Sequence, residues 1–182
     1  FYTPQEGQIL YKGKDILGLP THSIAKLGIA RTFQNIELFK GMTVLDNIKL
    51  GRHAFLKSGI FSDMLYWGRT QREELALRKE IEETIIDLLE IESIRKKVVG
   101  TLPYGLQKRV ELARSLAMKP QVLLLDEPTA SVDAVSAQLI KEAALRARQE
   151  WGTTLVVASH DWQWLYEICD NMLHLFRGEI FG

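Results

Sequence analysis

The sequence predicts an α/β fold in which a parallel core sheet is covered by helices, with a helical subdomain set into it. Three observations lead there. The runs Val122-Leu123-Leu124-Leu125 and Thr153-Thr154-Leu155-Val156-Val157-Ala158 read as strands buried on both faces. Segments of helical spacing alternate with them, as crossover connections between parallel strands require. From Thr43 to about Leu116 the strand pattern gives way to a helical block. The chain therefore divides into a core lobe over 1–45, a helical subdomain over 46–116 and a returning core lobe over 117–182.

Each element has a local reason. Gln8-Ile9-Leu10-Tyr11 reads as a short strand turned by Lys12-Gly13. A helix over Thr21 to Leu27 follows Pro20, with Thr21 available to cap its first amides and Gly28 suited to a left-handed exit. Ile29-Ala30-Arg31-Thr32-Phe33 is the next strand, and it ends at Gln34. In the helical block, Thr70 and Glu73 have capping-box spacing, and Leu77, Ile81, Ile85, Leu88 and Leu89 share one face. Glu74 and Arg78 add an i,i+4 pair, whereas Leu56 to Trp67 has no periodicity that assigns it.

A helix follows Gly105, with Leu106, Val110, Ala113 and Leu116 on one stripe. Beyond the Val122–Leu125 strand, a helix is expected from about Val135 to Gln149, and another over Trp162–Cys169 after the Thr153–Ala158 strand. Arg177-Gly178 then turns Met172–Phe176 back into Glu179-Ile180-Phe181. No internal repeat or low-complexity segment interrupts the pattern.

Bulk properties narrow the function classes. Lys+Arg and Asp+Glu balance at 23 each, so no net field favours nucleic acid or an anionic membrane. The single cysteine, Cys169, cannot form an internal disulfide and suits a reducing compartment. No apolar run reaches the roughly 20 residues a membrane helix needs.

Three apolar strands end on polar residues of catalytic type: Gln34, the pair Asp126/Glu127, and His160. In open α/β sheets, ligands sit beyond the carboxyl ends of strands, so these side chains are candidates for one site. The adjacent acids are the informative part. One carboxylate, at the strand tip, can hold Mg²⁺ while its neighbour just past the tip orients and deprotonates a water, with Pro128 stopping the strand there. A lone strand-end His or Gln, by contrast, is ordinarily a packed or solvated side chain.

The flanking segments sharpen this. Gln34, then Leu102-Pro103-Tyr104-Gly105-Leu106-Gln107, then Leu123-Leu124-Leu125-Asp126-Glu127-Pro128, then Ser131-Val132-Asp133, then Ser159-His160-Asp161 occur in the order and spacing of one known family. The whole chain resembles the ATP-binding-cassette (ABC) ATPases, a branch of the P-loop NTPase fold. That resemblance implies ATP and Mg²⁺ as cofactors. It makes Gln34 the Q-loop glutamine that senses Mg²⁺ and nucleotide, Asp126 the Walker B aspartate supporting Mg²⁺, and Glu127 the general base. It makes His160 the switch histidine at the γ-phosphate and Asp133 the D-loop aspartate linking the two sites of a dimer. Leu102 to Gln107 matches the signature motif, whose Pro103, Tyr104, Gly105 and Gln107 would face nucleotide held by a second subunit in a head-to-tail dimer. A Gly-bearing turn opening a helix points free amides and a positive dipole end at an anion, whatever its label. Pro103 stands where the common pattern has a serine hydroxyl, so backbone donors near Gly105 must do more.

The resemblance also implies transmembrane permease subunits docking over Gln34–Asn47, indirect service to a periplasmic or extracellular binding protein, no nucleic acid, and a peripheral place on the cytoplasmic face of the membrane. Gly28-Ile29-Ala30-Arg31-Thr32-Phe33-Gln34-Asn35, Leu38-Phe39 and Met42-Thr43-Val44-Leu45-Asp46-Asn47 resemble branched-chain amino-acid importers. Thr129-Ala130-Ser131-Val132-Asp133 and Ala158-Ser159-His160-Asp161-Trp162 look more like tungstate- or molybdate-type oxyanion importers, and a soluble non-transport ABC ATPase is a further alternative. A composite of two branches would explain the mixture.

A P-loop needs G-x-x-x-x-G-K-[ST], so that amides cradle phosphates and lysine neutralises them. The only Gly-Lys is Gly13-Lys14, with Gln8 where the first glycine belongs and Asp15 after the lysine. The resemblance places Phe1 to Ile9 just after a P-loop helix, so roughly forty N-terminal residues, the motif's lysine and serine/threonine among them, are expected to be absent. Weak ATP binding and no useful hydrolysis are expected of these 182 residues alone. Plainer expectations hold for the rest: His22 and His53 solvated, His174 packing or surface, Trp151, Trp162 and Trp164 core or interface, Lys108 and Arg109 a solvated helix face, Cys169 buried and inert.

Overall fold

The computed structural model describes residues 6–53, 79 and 81–181. Expectations for Leu56–Trp67, Thr70, Glu73, Glu74, Leu77 and Arg78 lie outside these residues. Strands β1 (Leu10–Tyr11) and β2 (Lys14–Asp15) form the expected small hairpin. Helix α1 (Thr21–Lys26) departs from expectation at its start: Pro20 occupies the cap position and no side chain caps the helix. A capping hydroxyl must sit one residue outside the first turn, and Pro20 has moved Thr21 inside it. Gly28 leaves the helix at φ +84°, a conformation that costs glycine nothing.

The central sheet is parallel, in the order β3 (Ile29–Arg31), β4 (Val122–Asp126), β5 (Thr154–Ala158). Its register pairs Ile29 with Val122 and Asp126 with Ala158, so β4 and β5 end side by side. Leu123 and Leu125 are buried under helices, while Val122 and Leu124 on the opposite face are half-buried. β5 corrects the expectation of a fully buried strand. Thr154, Val156 and Ala158 are exposed and alternate with half-buried Leu155 and Val157, because β5 is the outer strand of the three and meets helices on one face.

Helix α2 (Val44–His53) is opened by Thr43, whose hydroxyl accepts from the Asp46 amide at 3.2 Å and donates to the Asp46 carboxylate at 2.6 Å. Where a single α-helical face was expected near Ile81–Leu89, residues Ile81–Ile86 form a wider π-helical turn that buries Ile85 and Ile86 in succession. Two short 3-10 turns, Glu92–Ile94 and Val99–Thr101, lead to α3 (Tyr104–Leu116). Val110, Ala113 and Leu116 are buried on it as the spacing predicts, and Leu106 packs against the same core.

Helix α4 (Ala134–Trp151) is capped by Asp133 and ends on Gly152 at φ +67°. Helix α5 (Trp162–Ile168) is capped by Asp161, and β6 (His174–Phe176) and β7 (Glu179–Phe181) form the closing hairpin. One connected apolar cluster joins Ile48 and Ile86 of the middle segment to Leu123, Ile140 and Ile168.

Candidate functional site

The chemistry gathers where β4 and β5 end. Glu127 leaves β4 at φ +44°, an uncommon and strained value for a residue with a Cβ, while its amide still donates to Ala158 O at 2.8 Å. Its carboxylate is held from three sides. Oε1 lies 2.9 Å from His160 Nδ1 and accepts the His160 amide at 3.2 Å, and Oε2 accepts the Ser159 hydroxyl at 3.3 Å. The imidazole itself is 83% exposed. Two strand ends distant in the sequence thus form one acid–imidazole pair, because parallel register brings residues 127 and 160 to the same edge.

The hydrogen bond that the His160 ring donates to the Glu127 carboxylate, and then the charge of that carboxylate, raise the His160 pKa above the ordinary 6.5. A raised histidine pKa means that the pair stabilises the fold fully below about pH 6.5 and ceases to do so as pH rises through the folded-state value. NMR titration of the His160 ring is expected to give a pKa above that of free histidine, falling back in Glu127→Gln. An unshifted titration in the native protein would remove the charge coupling.

Asp126 sits one residue earlier and faces a different partner. Its Oδ2 pairs with Arg31 Nη2 at 2.9 Å, and its amide donates to Thr32 Oγ1 at 3.4 Å. Arg31 also lies over the Phe33 ring at 4.8 Å, which fixes the guanidinium between acid and aromatic face. Sequence reasoning passed over Arg31. The available signal was a charged residue within an apolar strand paired with the acid-bearing one.

Gln34 lies further along, exposed, with its carbonyl accepting from Lys108 Nζ at 3.0 Å and the Tyr104 hydroxyl at 3.4 Å. These bonds tie Gln34 to α3 rather than to the Glu127–His160 pair. Lys108 and Arg109, expected on a solvated face, are not there. Lys108 is 3% exposed because its ammonium reaches the Phe33 and Gln34 carbonyls, and half-buried Arg109 donates to Ser136 Oγ at 3.1 Å.

Pro103 caps α3, leaving the first amides of Tyr104, Gly105 and Leu106 beyond the helix's own hydrogen bonding. Gln107 donates back to Leu102 O at 2.7 Å, closing the turn. Glycine at 105 answers to space: a Cβ there would come within 2.7 Å of Asp133 Oδ2 and 2.9 Å of Ser136 Oγ. Asp133 is committed locally, its Oδ1 accepting the Ser136 amide at 2.9 Å and its Oδ2 the Ser136 hydroxyl at 2.7 Å. Those bonds hold its pKa below the usual carboxylate value.

Of the plainer expectations, His22 is exposed and Trp164 is buried, whereas Trp162 is half exposed and meets His174 edge-on at 5.3 Å between ring centres. Cys169 is half-buried, and burial pushes its thiol pKa up.

No group of three or more His, Cys, Asp or Glu suited to a metal occurs among the described residues. A single strand-tip carboxylate such as that of Asp126 still fits Mg²⁺, which is commonly carried by substrate phosphates and one or two carboxylates rather than a protein cage. No described helix is long and apolar enough to cross a membrane.

A parallel sheet with tandem acids at a strand tip, an imidazole on the neighbouring tip and a glycine-opened helix defines an α/β ATPase of the nucleotide-binding-cassette class. The chain belongs to the ABC transporter family, whose model matches residues 1–130. It is 32% identical over 181 residues to the high-affinity branched-chain amino acid transport ATP-binding protein BraF of Pseudomonas aeruginosa, spanning 98% of this chain and 69% of that protein. The same identity and shares relate it to LivG of Escherichia coli, described in the same words. Among solved structures it resembles the ADP conformation of MJ1267, an ATP-binding cassette of an ABC transporter, with TM-score 0.74 and 26% identity over 97% of this chain and 68% of that one.

Proposed function

We propose that this chain belongs to the ATP-hydrolysing subunit of an importer for branched-chain amino acids. The observation that carries the hydrolytic reading is the 2.9 Å contact between Glu127 and His160 at adjoining strand ends. The likeness to BraF and LivG supports the substrate class.

Glu127 acts as general base. Its carboxylate takes the proton of a water whose oxygen attacks the γ-phosphorus, as the bond to the bridging β–γ oxygen breaks. With Nδ1 turned to Glu127, the imidazole of His160 presents Nε2 outward, and its raised pKa favours the cation that a γ-phosphate attracts. Mg²⁺, when bound with the nucleotide, neutralises charge that develops on the phosphates. Asp126 and Gln34 would hold it, Asp126 through the oxygen that Arg31 leaves open.

Pro103, Tyr104, Gly105 and Gln107 form the turn that meets nucleotide bound by a second subunit, arranged head to tail. Asp133 shapes that turn from behind, through Ser136 and the space that Gly105 leaves. The core lobe over 1–45 carries Gln34, the lobe over 117–182 the acids and imidazole, and the subdomain over 46–116 the turn to the partner. The assembly works at the cytoplasmic face of a membrane, serves an external binding protein indirectly and uses no nucleic acid. In the intact protein, hydrolysis lost in Glu127→Gln with nucleotide binding retained is the expected test result; turnover at the native rate would sink the assignment.

Permease subunits dock on Gln34–Asn47. Phe39 is 59% exposed on a loop that is itself clamped: buried Asn47 accepts from the Phe39 amide at 2.9 Å and donates to its carbonyl at 3.0 Å. A rigid, exposed aromatic suits an interface anchor, while Met42 beside it is half-buried. Phe39→Glu is expected to cut substrate uptake about tenfold while leaving the unfolding temperature unchanged. Native uptake in that variant would move the docking face elsewhere.

A further inference from the structure

The polar residues of α3 at 104, 108, 111 and 115 fall on one face of the helix, and all four engage the stretch that runs out of β3. Tyr104 and Lys108 donate to the Gln34 carbonyl, and Lys108 also to Phe33 O at 2.7 Å. Glu111 Oε1 accepts the Phe33 amide at 3.3 Å and the Glu37 amide at 3.4 Å, and Ser115 Oγ donates to Arg31 O at 3.3 Å. Arg114 adds a bond to Glu37 O at 2.6 Å.

Every one of these contacts is to backbone of 31–37, so the stripe reads the path of that segment and not its side chains. Two of its members are costly to bury. Lys108 is 3% exposed and Glu111 fully buried, 3.6 Å apart. Glu111 Oε2 has no hydrogen-bond partner, and Glu111 lines a small cavity with Thr32, Leu125 and Pro128, at the foot of the Asp126–Glu127 tip. Burial pushes the Glu111 carboxyl up, and the Lys108 ammonium is the foremost effect opposing it. A buried ion pair is weak as a source of stability, since apolar residues of the same shape often do as well. Its use must lie in what it holds.

We propose that Lys108 and Glu111 are positioning residues that fasten the backbone of residues 33–37 to α3, so that Gln34 and the Pro103–Gly105 turn move as one body. This rests on the site assignment above. The turn opens the same helix whose second and third turns grip the glutamine segment. A displacement at the permease-facing loop is therefore delivered to the partner-facing turn without an intervening hinge, and nucleotide bound at either place constrains the other.

The test compares Lys108→Met, Glu111→Ala and Glu111→Gln with Glu127→Gln in the full-length protein, reading kcat and KM for ATP. Lys108→Met and Glu111→Ala are expected to lower kcat about tenfold with KM nearly unchanged, as misplacement of groups at a reacting centre does. Glu111→Gln keeps the oxygen that accepts the Phe33 and Glu37 amides and is expected to restore most of the rate. Native kcat in Lys108→Met and Glu111→Ala, with Glu127→Gln inactive, would overturn the proposal while sparing the site assignment; an active Glu127→Gln would overturn the assignment instead. Should these variants fail to fold, amide hydrogen exchange of the native protein decides. Phe33 and Glu37 are expected to exchange as slowly as Val110 to Leu112, and exchange at the rate of an open loop would refute a single body.

Discussion

Glu127→Gln in the intact protein is expected to stop ATP turnover while leaving nucleotide binding in place. Glutamine has the shape of glutamate and keeps an oxygen for the Ser159 hydroxyl or the His160 amide, so the strand tip retains its form. What it loses is the capacity to take a proton. General base catalysis contributes on the order of 10²–10⁴-fold, and the loss should fall wholly on kcat. Binding should be spared because the proposed task of Glu127 is to meet the attacking water, while phosphate charge is met by amide donors and cations rather than by a carboxylate. Steady-state phosphate release and equilibrium binding of a fluorescent ATP analogue, measured side by side, separate the two. A matched fall in both would make Glu127 a binding group. A rate within about threefold of native would remove it from the chemistry altogether.

Much of the fold and the acid–imidazole pair could be read before any coordinates, for a physical reason. Apolar runs such as Val122–Leu125 and Leu155–Ala158 mark strands of a parallel sheet even where, as in β5, one face stays exposed, and parallel pairing then brings whatever follows each run to one edge. Glu127 and His160 therefore met as a consequence of register. The polar stripe of α3 was not readable in the same way. Lys108 and Glu111 look like solvent-facing charges, since hydropathy does not distinguish a side chain that meets water from one that meets buried carbonyls and amides. The clue lay in their neighbours: Val110, Leu112 and Ala113 crowd the same helix, leaving little of its circumference for solvent.

Asp133 shows the converse. The family pattern points it outward to a dimer partner, yet Asp133 and Ser136 also have the spacing of an N-cap, and in the structure both carboxylate oxygens serve that local bond. The π-turn over Ile81–Ile86 was hidden because its composition suits an α-helix equally well; two adjacent isoleucines demanding burial were the only hint.

Adding one methyl group at Gly51 is expected to impose an overpacking cost of about 3 kcal/mol, at the upper end for such insertions. Gly51 lies in α2 where that helix crosses α3, and a Cβ built there would stand 2.1 Å from the Arg114 carbonyl oxygen and 3.1 Å from its carbon. The obstacle is main chain, which cannot swing aside as a side chain does, so the two helices would have to part. Alanine's better helix propensity returns only about 1 kcal/mol. The remainder corresponds to a fall in Tm of roughly 4–8 °C for a chain of this size. Gly41→Ala is the matched control, with nothing within 4 Å of its added methyl and no positive φ, and should leave Tm unaltered. Because Arg114 also bonds Glu37 O, a displaced α3 pulls on the segment that carries Gln34. Loss of turnover beyond the loss of folded protein is therefore expected in Gly51→Ala, and an unchanged Tm there would mean that α2 and α3 do not approach backbone to backbone.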